Sequence, residues 1–166
     1  MKIWVDADAC PAVVKDILFR AANRAQVPLM LIANRLLRVP PSPWIRALQV
    51  PWGFDVADRR IAEEASAGDL VITADVPLAA QVIAKGARVL DPRGDLLDAG
   101  NIEERLGMRN FMEGLRSGGV DTGGPAAFSA ADRKAFANRL DGLLAIRARN
   151  LRIARHDPGE PAIDAD

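Results

Sequence analysis

The chain has few of the residues that build sulfur or imidazole sites. Its 166 residues include one cysteine, Cys10, one histidine, His156, and no tyrosine. A single cysteine excludes an intrachain disulfide framework and a thiolate-based zinc site. A catalytic cysteine–histidine pair is not expected, because His156 falls in the predicted C-terminal tail. We therefore interpret Cys10 as a packing residue and expect any bound metal to have oxygen ligands.

Long apolar runs are also missing. No stretch approaches the roughly 18 uninterrupted apolar residues of a membrane span, and Asp6 brings in an acidic residue too early for a secretory signal. Apolar residues make up 49% of the chain and charged residues 27%, as in globular proteins. We expect a cytoplasmic protein without a membrane partner, with one domain at 1–152 and a flexible acidic tail at 153–166.

The overall charge favours no class of partner. Lysine and arginine number 22, against 22 aspartates and glutamates, so the total does not separate nucleic-acid binding from other functions. The distribution is uneven, because basic residues dominate from Arg133 to Arg155. The predicted C-terminal helix is therefore locally basic.

Alternating strand and helix patterns predict an α/β fold. The predicted strands lie at 2–5, 28–32, 45–50, 69–73 and 87–90, and helices are predicted from residue 11 and at 58–67 and 76–85. Only helices follow, at 102–106, 109–116 and 130–152, the last with a capping-box pattern at its start. The expected architecture is three-layered and Rossmann-like, with a mainly parallel central sheet and a helical C-terminal part.

Aspartates follow three of these predicted strand segments. Asp6 and Asp8 come after the first, Asp55 and Asp58 after the stretch that ends near residue 54, and Asp75 after the strand at 69–73. Parallel strands place their carboxyl ends along one edge, where ligands bind in open α/β folds. Converging carboxylates repel one another unless a cation neutralises them. We therefore predict that these five residues bind Mg²⁺ or Mn²⁺.

Helix capping is the alternative interpretation for some of these aspartates. Asp58 and Asp75 each precede a helical pattern, and aspartate is a common N-cap. Asp6 and Asp8 are harder to explain in this way, because Pro11 at the first helical position puts other residues nearer the cap. The sequence favours a functional role for that pair.

Two further features suggest phosphate binding. The loop that contains Thr122, Gly123 and Gly124 could offer backbone N–H groups to a phosphate, although glycines in loops more often permit unusual backbone angles. Arg109 and Arg116, seven residues apart, could contact phosphate oxygens from one helix face. Solvated or ion-paired arginines are the more common case.

Four motifs resemble those of the YaiI/YqxD family of uncharacterised bacterial proteins. They are Val-Asp-Ala-Asp-Ala-Cys-Pro at 5–11, Gly-Phe-Asp-Val-Ala-Asp at 53–58, Gly-Asp-Leu-Val-Ile-Thr-Ala-Asp at 68–75 and Thr-Gly-Gly-Pro-Ala-Ala-Phe at 122–128. The resemblance runs from residue 1 to about residue 150. That family is grouped with PIN-like domains, and the segments 71–79 and 85–90 are similar to the late acidic motif of PIN nucleases.

The resemblance implies a PIN-like fold with a metal-dependent ribonuclease-like site. Asp6 would be the first-strand ligand, Asp75 the late-strand ligand, and Asp8, Asp55 and Asp58 would complete the site. Asp6, Asp8, Asp58 and Asp75 form the expected catalytic set, with Thr73 and Asp69 in support. PIN nucleases also carry an acidic residue in a middle helix, for which Glu63 and Glu64 are candidates without a clear motif match.

Three functions follow as hypotheses. The first is hydrolysis of phosphodiester bonds by aspartate-bound Mg²⁺ or Mn²⁺, with RNA favoured and the basic helix, or Arg109 and Arg116, holding the backbone. The second is a phosphatase like the haloacid dehalogenases, which would use Asp6 as nucleophile with Asp8, Thr73 and Lys85. The third is an inactive nucleic-acid or protein binding module. Each of these functions is compatible with an oligomer of the chain.

Overall fold

The computed structural model describes residues 1–156. Its strands are β1 (Ile3–Asp6), β2 (Leu29–Ala33), β3 (Ile45–Gln49), β4 (Leu70–Ile72), β5 (Arg88–Leu90) and β6 (Leu96–Leu97). Its helices are α1 (Ala12–Ala25), α2 (Val56–Glu64), α3 (Val76–Ala84), α4 (Ile102–Ser117) and α5 (Ala130–His156). Within residues 1–156, no helix is both long and apolar enough to cross a membrane.

All six strands form one sheet in the order β3-β2-β1-β4-β5-β6. The first five are parallel, and only β6 runs antiparallel, beside β5. The chain builds outward from β1 to β3 and then returns to place β4 on the other side of β1. The predicted α/β class, with a mainly parallel sheet and a helical C-terminal part, is confirmed.

Helices cover both faces of the sheet. On one face α1 and α5 pack over the strands through four buried side chains each: Val14, Leu18, Ala21 and Ala22 from α1, and Phe136, Leu140, Leu143 and Leu144 from α5. On the other face α2, α3 and α4 bury residues that include Ile61, Leu78, Val82 and Ile102. Continuous apolar strands fit this arrangement, because both faces of the sheet are covered.

The long helix α5 begins with the predicted capping box. The Ser129 hydroxyl accepts from the backbone N–H of Asp132 at 3.2 Å, and the Asp132 carboxylate accepts from the backbone N–H of Ser129 at 3.0 Å. The helix continues to His156, four residues beyond its predicted end. Residues 153–156 of the predicted flexible tail are therefore helical, and the remainder of that tail lies outside the described residues.

Three local predictions were wrong. The helices predicted at 102–106 and 109–116 are one helix, α4, because Gly107 is exposed and a helix tolerates such a glycine at a cost of about 1 kcal/mol. Helix α2 starts at Val56, so Asp58 lies inside its first turn and does not cap it. The two-residue strand β6 was missed because it is too short to show a period.

Candidate functional site

Strands β1 and β4 are neighbours in the middle of the sheet. From β1 the chain adds β2 and β3 on one side, and from β4 it adds β5 and β6 on the other. Strands β1 and β4 pair in parallel with Val5 opposite Ile72, so Asp6 and Thr73 leave the sheet side by side at its carboxyl edge. The Thr73 hydroxyl donates to Oδ2 of Asp6 at 3.3 Å. Ligands of open α/β sheets bind in the crevice at this kind of switch point. The predicted pair of β1 and β4 aspartates therefore has the expected position in the fold.

Asp75 follows Thr73 and opens helix α3. Its Oδ1 accepts from the backbone N–H of Leu78 at 2.9 Å, which is an N-cap hydrogen bond. Its own N–H donates to the Thr73 hydroxyl oxygen at 3.0 Å. The capping interpretation of Asp75 is thus confirmed, and Thr73 links this cap to Asp6.

Asp58, in the first turn of helix α2, also lies near Asp6 and Asp75. This helix connects the edge strand β3 to the central strand β4, and it packs against β1, β2 and α3 on the way. Its first turn therefore carries Asp58 back over the middle of the sheet. Burial and the negative charges of Asp6, Asp75 and Asp55, together with a side-chain hydrogen bond to Asp75, raise the pKa of Asp58 to about 7.

The same surroundings raise the pKa of Asp6. Burial raises its pKa, the Thr73 hydrogen bond opposes that rise, and the charges of Asp75 and Asp8 add to it. We call Asp6, Asp58 and Asp75 the acidic cluster. Its members come from three separate segments, and the surrounding negative charges disfavour the ionised forms of Asp6 and Asp58, so the cluster favours the uptake of a proton or a cation.

A cleft of about 290 Å³ opens beside the acidic cluster. Asp58 and Asp75 line it together with Asp55, whose backbone adopts a left-handed conformation with φ 59°. Arg109 of α4 also lines it, although its guanidinium donates to Glu113 one turn away at 2.9 Å. The structure therefore brings one of the two predicted phosphate-binding arginines to the aspartates.

Asp8 lies on the β2 side of Asp6. Its Oδ2 accepts from the backbone N–H of Asn34 at 2.8 Å, and its Oδ1 lies 3.8 Å from Nε of Arg35. These contacts tie the loop after β1 to the loop after β2. Asp8 adds negative charge near Asp6. Its contacts with Asn34 and Arg35, however, have the structural effect of holding two loops together.

Asp69 lies at the opposite edge of the sheet. It precedes β4, and its buried carboxylate accepts from the backbone N–H of Lys2 at 2.9 Å, from Nε1 of Trp4 at 3.0 Å and from the backbone N–H of Ser66 at 2.9 Å. These three donors give the carboxylate a structural role. The structure does not bring Asp69 to the other predicted site residues.

The glycine-rich loop makes local contacts. Nε of Arg116 donates to the Thr122 hydroxyl at 3.0 Å, and the backbone N–H of Gly123 donates to Asp121 at 2.9 Å. Gly123 has φ 70°, which accounts for a glycine there. Arg116 and Thr122 thus meet each other, and Gly124 follows them, while the contacts seen for this loop do not include the acidic cluster.

Three further candidates also lie apart from Asp6: Lys85 of the phosphatase hypothesis, and the middle-helix candidates of the nuclease hypothesis, Glu63 and Glu64. Nζ of Lys85 donates to the carbonyl of Ala62 at 2.8 Å and to that of Glu63 at 3.1 Å, at the far end of α2. Glu64 pairs with Arg60 at 3.1 Å in the same region. Neither the lysine of the phosphatase hypothesis nor the two candidate middle-helix glutamates reach the cluster.

Cys10 is confirmed as a packing residue. Its side chain is buried in the core beneath α1. Burial, opposed by Lys15, raises the pKa of its thiol to about 12. A thiol in this state is a poor nucleophile at neutral pH.

Sequence reasoning missed four residues near this edge. Phe54, Arg59 and Gln81 line the cleft, and Asp91 follows β5 just as Asp75 follows β4. Asp91 closes the turn before β6 by accepting from the backbone N–H of Arg93 at 2.6 Å, and burial raises its pKa. The rule that selected aspartates after strands could have found Asp91. The other three depend on long-range packing.

The donor set fits a hard divalent cation that retains water. Among residues 1–156, no three histidine, cysteine, aspartate or glutamate side chains form a ready ligand shell. Mg²⁺ commonly uses one or two carboxylates and keeps several waters, which suits the close pair of Asp58 and Asp75. Their oxygen-only chemistry and the raised pKa of Asp58 both favour such an ion.

Comparison with known proteins identifies close sequence relatives. The model of the "Uncharacterized BCR, YaiI/YqxD family" matches residues 4–146. A UPF0178 protein of Bordetella avium is 70% identical over 148 residues, covering 89% of this chain and 96% of the relative. UPF0178 proteins of Burkholderia ambifaria and Dechloromonas aromatica are 66% and 63% identical over 145 residues, each covering 87% of this chain and 97% of the relative. No solved structure matches.

Proposed function

Because this chain belongs to the YaiI/YqxD family, we propose that it shares the PIN-like character its motifs resemble and acts as a metal-dependent nuclease. Its substrate would be a phosphodiester, with RNA favoured. One observation carries the proposal: three aspartates from separate segments converge at the switch point of the sheet, and their repulsion and burial raise the pKa of Asp58 to about 7.

Asp58 and Asp75 would hold Mg²⁺ or Mn²⁺, with Asp6 beside them. When bound, such an ion neutralises charge on the phosphodiester and lowers the pKa of a coordinated water. With a pKa of about 7, Asp58 carries a proton in part of the molecules at neutral pH and must release it on binding the ion. Affinity for the ion should therefore increase from pH 6 to pH 8.

Asp6 and Thr73 would serve the proton transfer. A carboxylate with a raised pKa is better suited to accept a proton than an ordinary aspartate. The Thr73 hydroxyl fixes Oδ2 of Asp6 and also accepts from the N–H of Asp75. This threonine therefore positions two members of the cluster through one oxygen.

Arginines in the cleft would bind the phosphate. Arg59 and Arg109 both line it, and guanidinium groups form strong charge-assisted hydrogen bonds with phosphate oxygens. The ion pair of Arg109 with Glu113 is solvent-exposed, so exchanging it for a phosphate costs little. A backbone phosphate could thus lie between the arginines and the aspartates.

The test is cleavage of labelled single-stranded RNA and DNA with Mg²⁺, Mn²⁺ or EDTA. Asp6→Asn and Asp75→Asn should each lower the rate by about 100-fold or more. Asparagine is as good an N-cap as aspartate, so Asp75→Asn keeps the start of α3. Asp16→Asn, on the exposed side of α1, is the charge-matched control and should cleave like the parent.

Cleavage that persists in EDTA, or in both variants, would contradict the proposal. Calorimetric titration with Mg²⁺ and Mn²⁺ at pH 6, 7 and 8 adds a readout that is independent of turnover. Metal binding that strengthens with pH, without cleavage of either nucleic acid, would instead support the binding-module hypothesis.

A further inference from the structure

Two large aromatic side chains project from the turn between β3 and α2. Trp52 is 85% exposed and Phe54 is 90% exposed, whereas Trp4 in the core is 5% exposed. The whole chain has only three tryptophans and five phenylalanines. Exposed aromatic groups that lie together mark interaction sites more often than isolated ones do. We call Trp52 and Phe54 the aromatic pair.

The turn that carries the aromatic pair has a defined backbone. A Cβ atom on Gly53 would approach Cγ2 of Val56 to 2.9 Å, so any larger residue there would force the Val56 side chain or the turn to shift. Asp55 then takes a left-handed conformation with φ 59° before α2 begins. Both features constrain the backbone of the turn next to the two aromatic residues.

One member of the aromatic pair, Phe54, adjoins the cleft of the acidic cluster. Phe54 lines this cleft together with Asp58, Asp75, Arg59 and Arg109. One short region therefore combines an exposed aromatic face, two guanidinium groups and two carboxylates. Arginines complement phosphate, and aromatic faces complement nucleobases.

We propose that the aromatic pair is a stacking platform for an unpaired base of a single-stranded nucleic acid. The inference rests on the proposed function, because the stacked base would place the neighbouring phosphate in the cleft. Bases in a duplex are stacked on one another and cannot lie on a protein side chain. The platform therefore selects single strands over duplexes, and it tolerates any sequence because every base has a π face.

Fluorescence of Trp52 tests the platform directly. In EDTA, which prevents metal-dependent cleavage, a single-stranded oligouridylate should quench tryptophan emission, and an abasic ribose-phosphate oligomer of equal length should not. Trp4 is buried and Trp44 is partly buried, so the quenching should come from Trp52. The variant Trp52→Phe should lose the quenching while it keeps most of the binding measured by anisotropy.

Phe54 provides the matched pair of variants. Phe54→Leu keeps apolar bulk but removes the π face, and Phe54→Ala removes both. Each should weaken binding to the oligouridylate by about 10-fold, with no effect on binding to the abasic oligomer. Phe111→Ala on α4, where the phenylalanine is 63% exposed, should bind like the parent. All four substitutions lie at exposed positions, and circular dichroism verifies the fold.

The outcomes separate this inference from the proposed function. Equal binding of oligouridylate, abasic oligomer and duplex RNA would overturn the stacking platform, as would concentration-dependent dimerisation that Phe54→Ala abolishes. Base-dependent quenching without cleavage would uphold the platform and contradict the nuclease. Metal-dependent cleavage that Phe54→Leu leaves unchanged would uphold the nuclease and overturn the platform.

Discussion

The two ends of strand β4 carry aspartates with opposite surroundings. At its start, Asp69 is buried and accepts three N–H hydrogen bonds of 2.9 to 3.0 Å. Beyond the last residue of β4, Asp75 lies near Asp6 and near Asp58 of helix α2. Repulsion among these carboxylates contributes to the raised pKa of Asp58. The same residue type thus stabilises the fold at one edge and strains it at the other. The carboxylate with three N–H donors has a structural role, and the carboxylates with raised pKa, Asp6 and Asp58, are those for which we propose a chemical role.

The largest expected effect is on stability at the Asp69 edge. Asp69→Ala leaves the N–H groups of Lys2, Trp4 and Ser66 without their acceptor, and the Trp4 donor is buried. We expect a loss of about 3 kcal/mol in the free energy of unfolding, measured by urea denaturation. Asp16→Ala serves as the control. Equal stability of the two variants would remove the contrast between the edges.

The second effect is stabilisation by divalent cations, which only the carboxyl edge should show. At pH 8, Mg²⁺ or Mn²⁺ at ten times its dissociation constant should add about 1.4 kcal/mol, or about 4 °C in Tm. Asp58→Asn should abolish the shift, whereas Asp69→Asn should keep it despite a lower starting Tm. A shift retained in Asp58→Asn would place the ion elsewhere.

The third effect concerns the cap formed by Asp75. At pH 5, where Asp58 is largely protonated and repulsion is weak, Asp75→Ala should cost about 1 kcal/mol because the N–H of Leu78 loses its acceptor. Asp75→Asn should cost almost nothing, because asparagine is as good an N-cap as aspartate. Thermal denaturation of both variants measures the difference, and equal losses would argue against the cap.

The smallest effect is a pH-dependent gain from Asp58→Asn in the absence of divalent cations. The folded-state pKa of Asp58 lies above its unfolded value of 3.8, so its contribution to stability is fully present below pH 3.8 and is lost as pH rises through about 7. Asparagine does not ionise. At pH 8 the variant should therefore be more stable, by less than about 1 kcal/mol because solvent screens the partly exposed group.

This gain should disappear near pH 4. Urea denaturation at pH 4, 6 and 8 would follow it, with Asp16→Asn as the control. A gain that is constant across the three pH values would show that repulsion among the carboxylates is not its source.

Local patterns predicted the sheet but only part of the site. Apolar runs bounded by proline and glycine located five of the strands, and the rule of aspartates after parallel strands located Asp6, Asp58 and Asp75 at one edge. Their convergence depends on how α2 crosses the sheet, which no local pattern encodes. The donors to Asp69 include Lys2 and Trp4, 67 and 65 residues away. Its role could not be deduced from its neighbours in the chain.

The pairing of β1 with β4 also determines when the site can form during folding. The bond from Thr73 to Asp6 and the bond from Lys2 to Asp69 each join residues 67 positions apart. Contacts of this separation pay the loop-closure entropy before they gain interaction energy, and they slow folding. A chain that has folded only β1 to β3 holds Asp6 and Asp8 together but lacks Asp58 and Asp75 beside them. The pairing of β1 with β4 therefore brings Asp75, through Thr73, to Asp6 only after a long loop has closed.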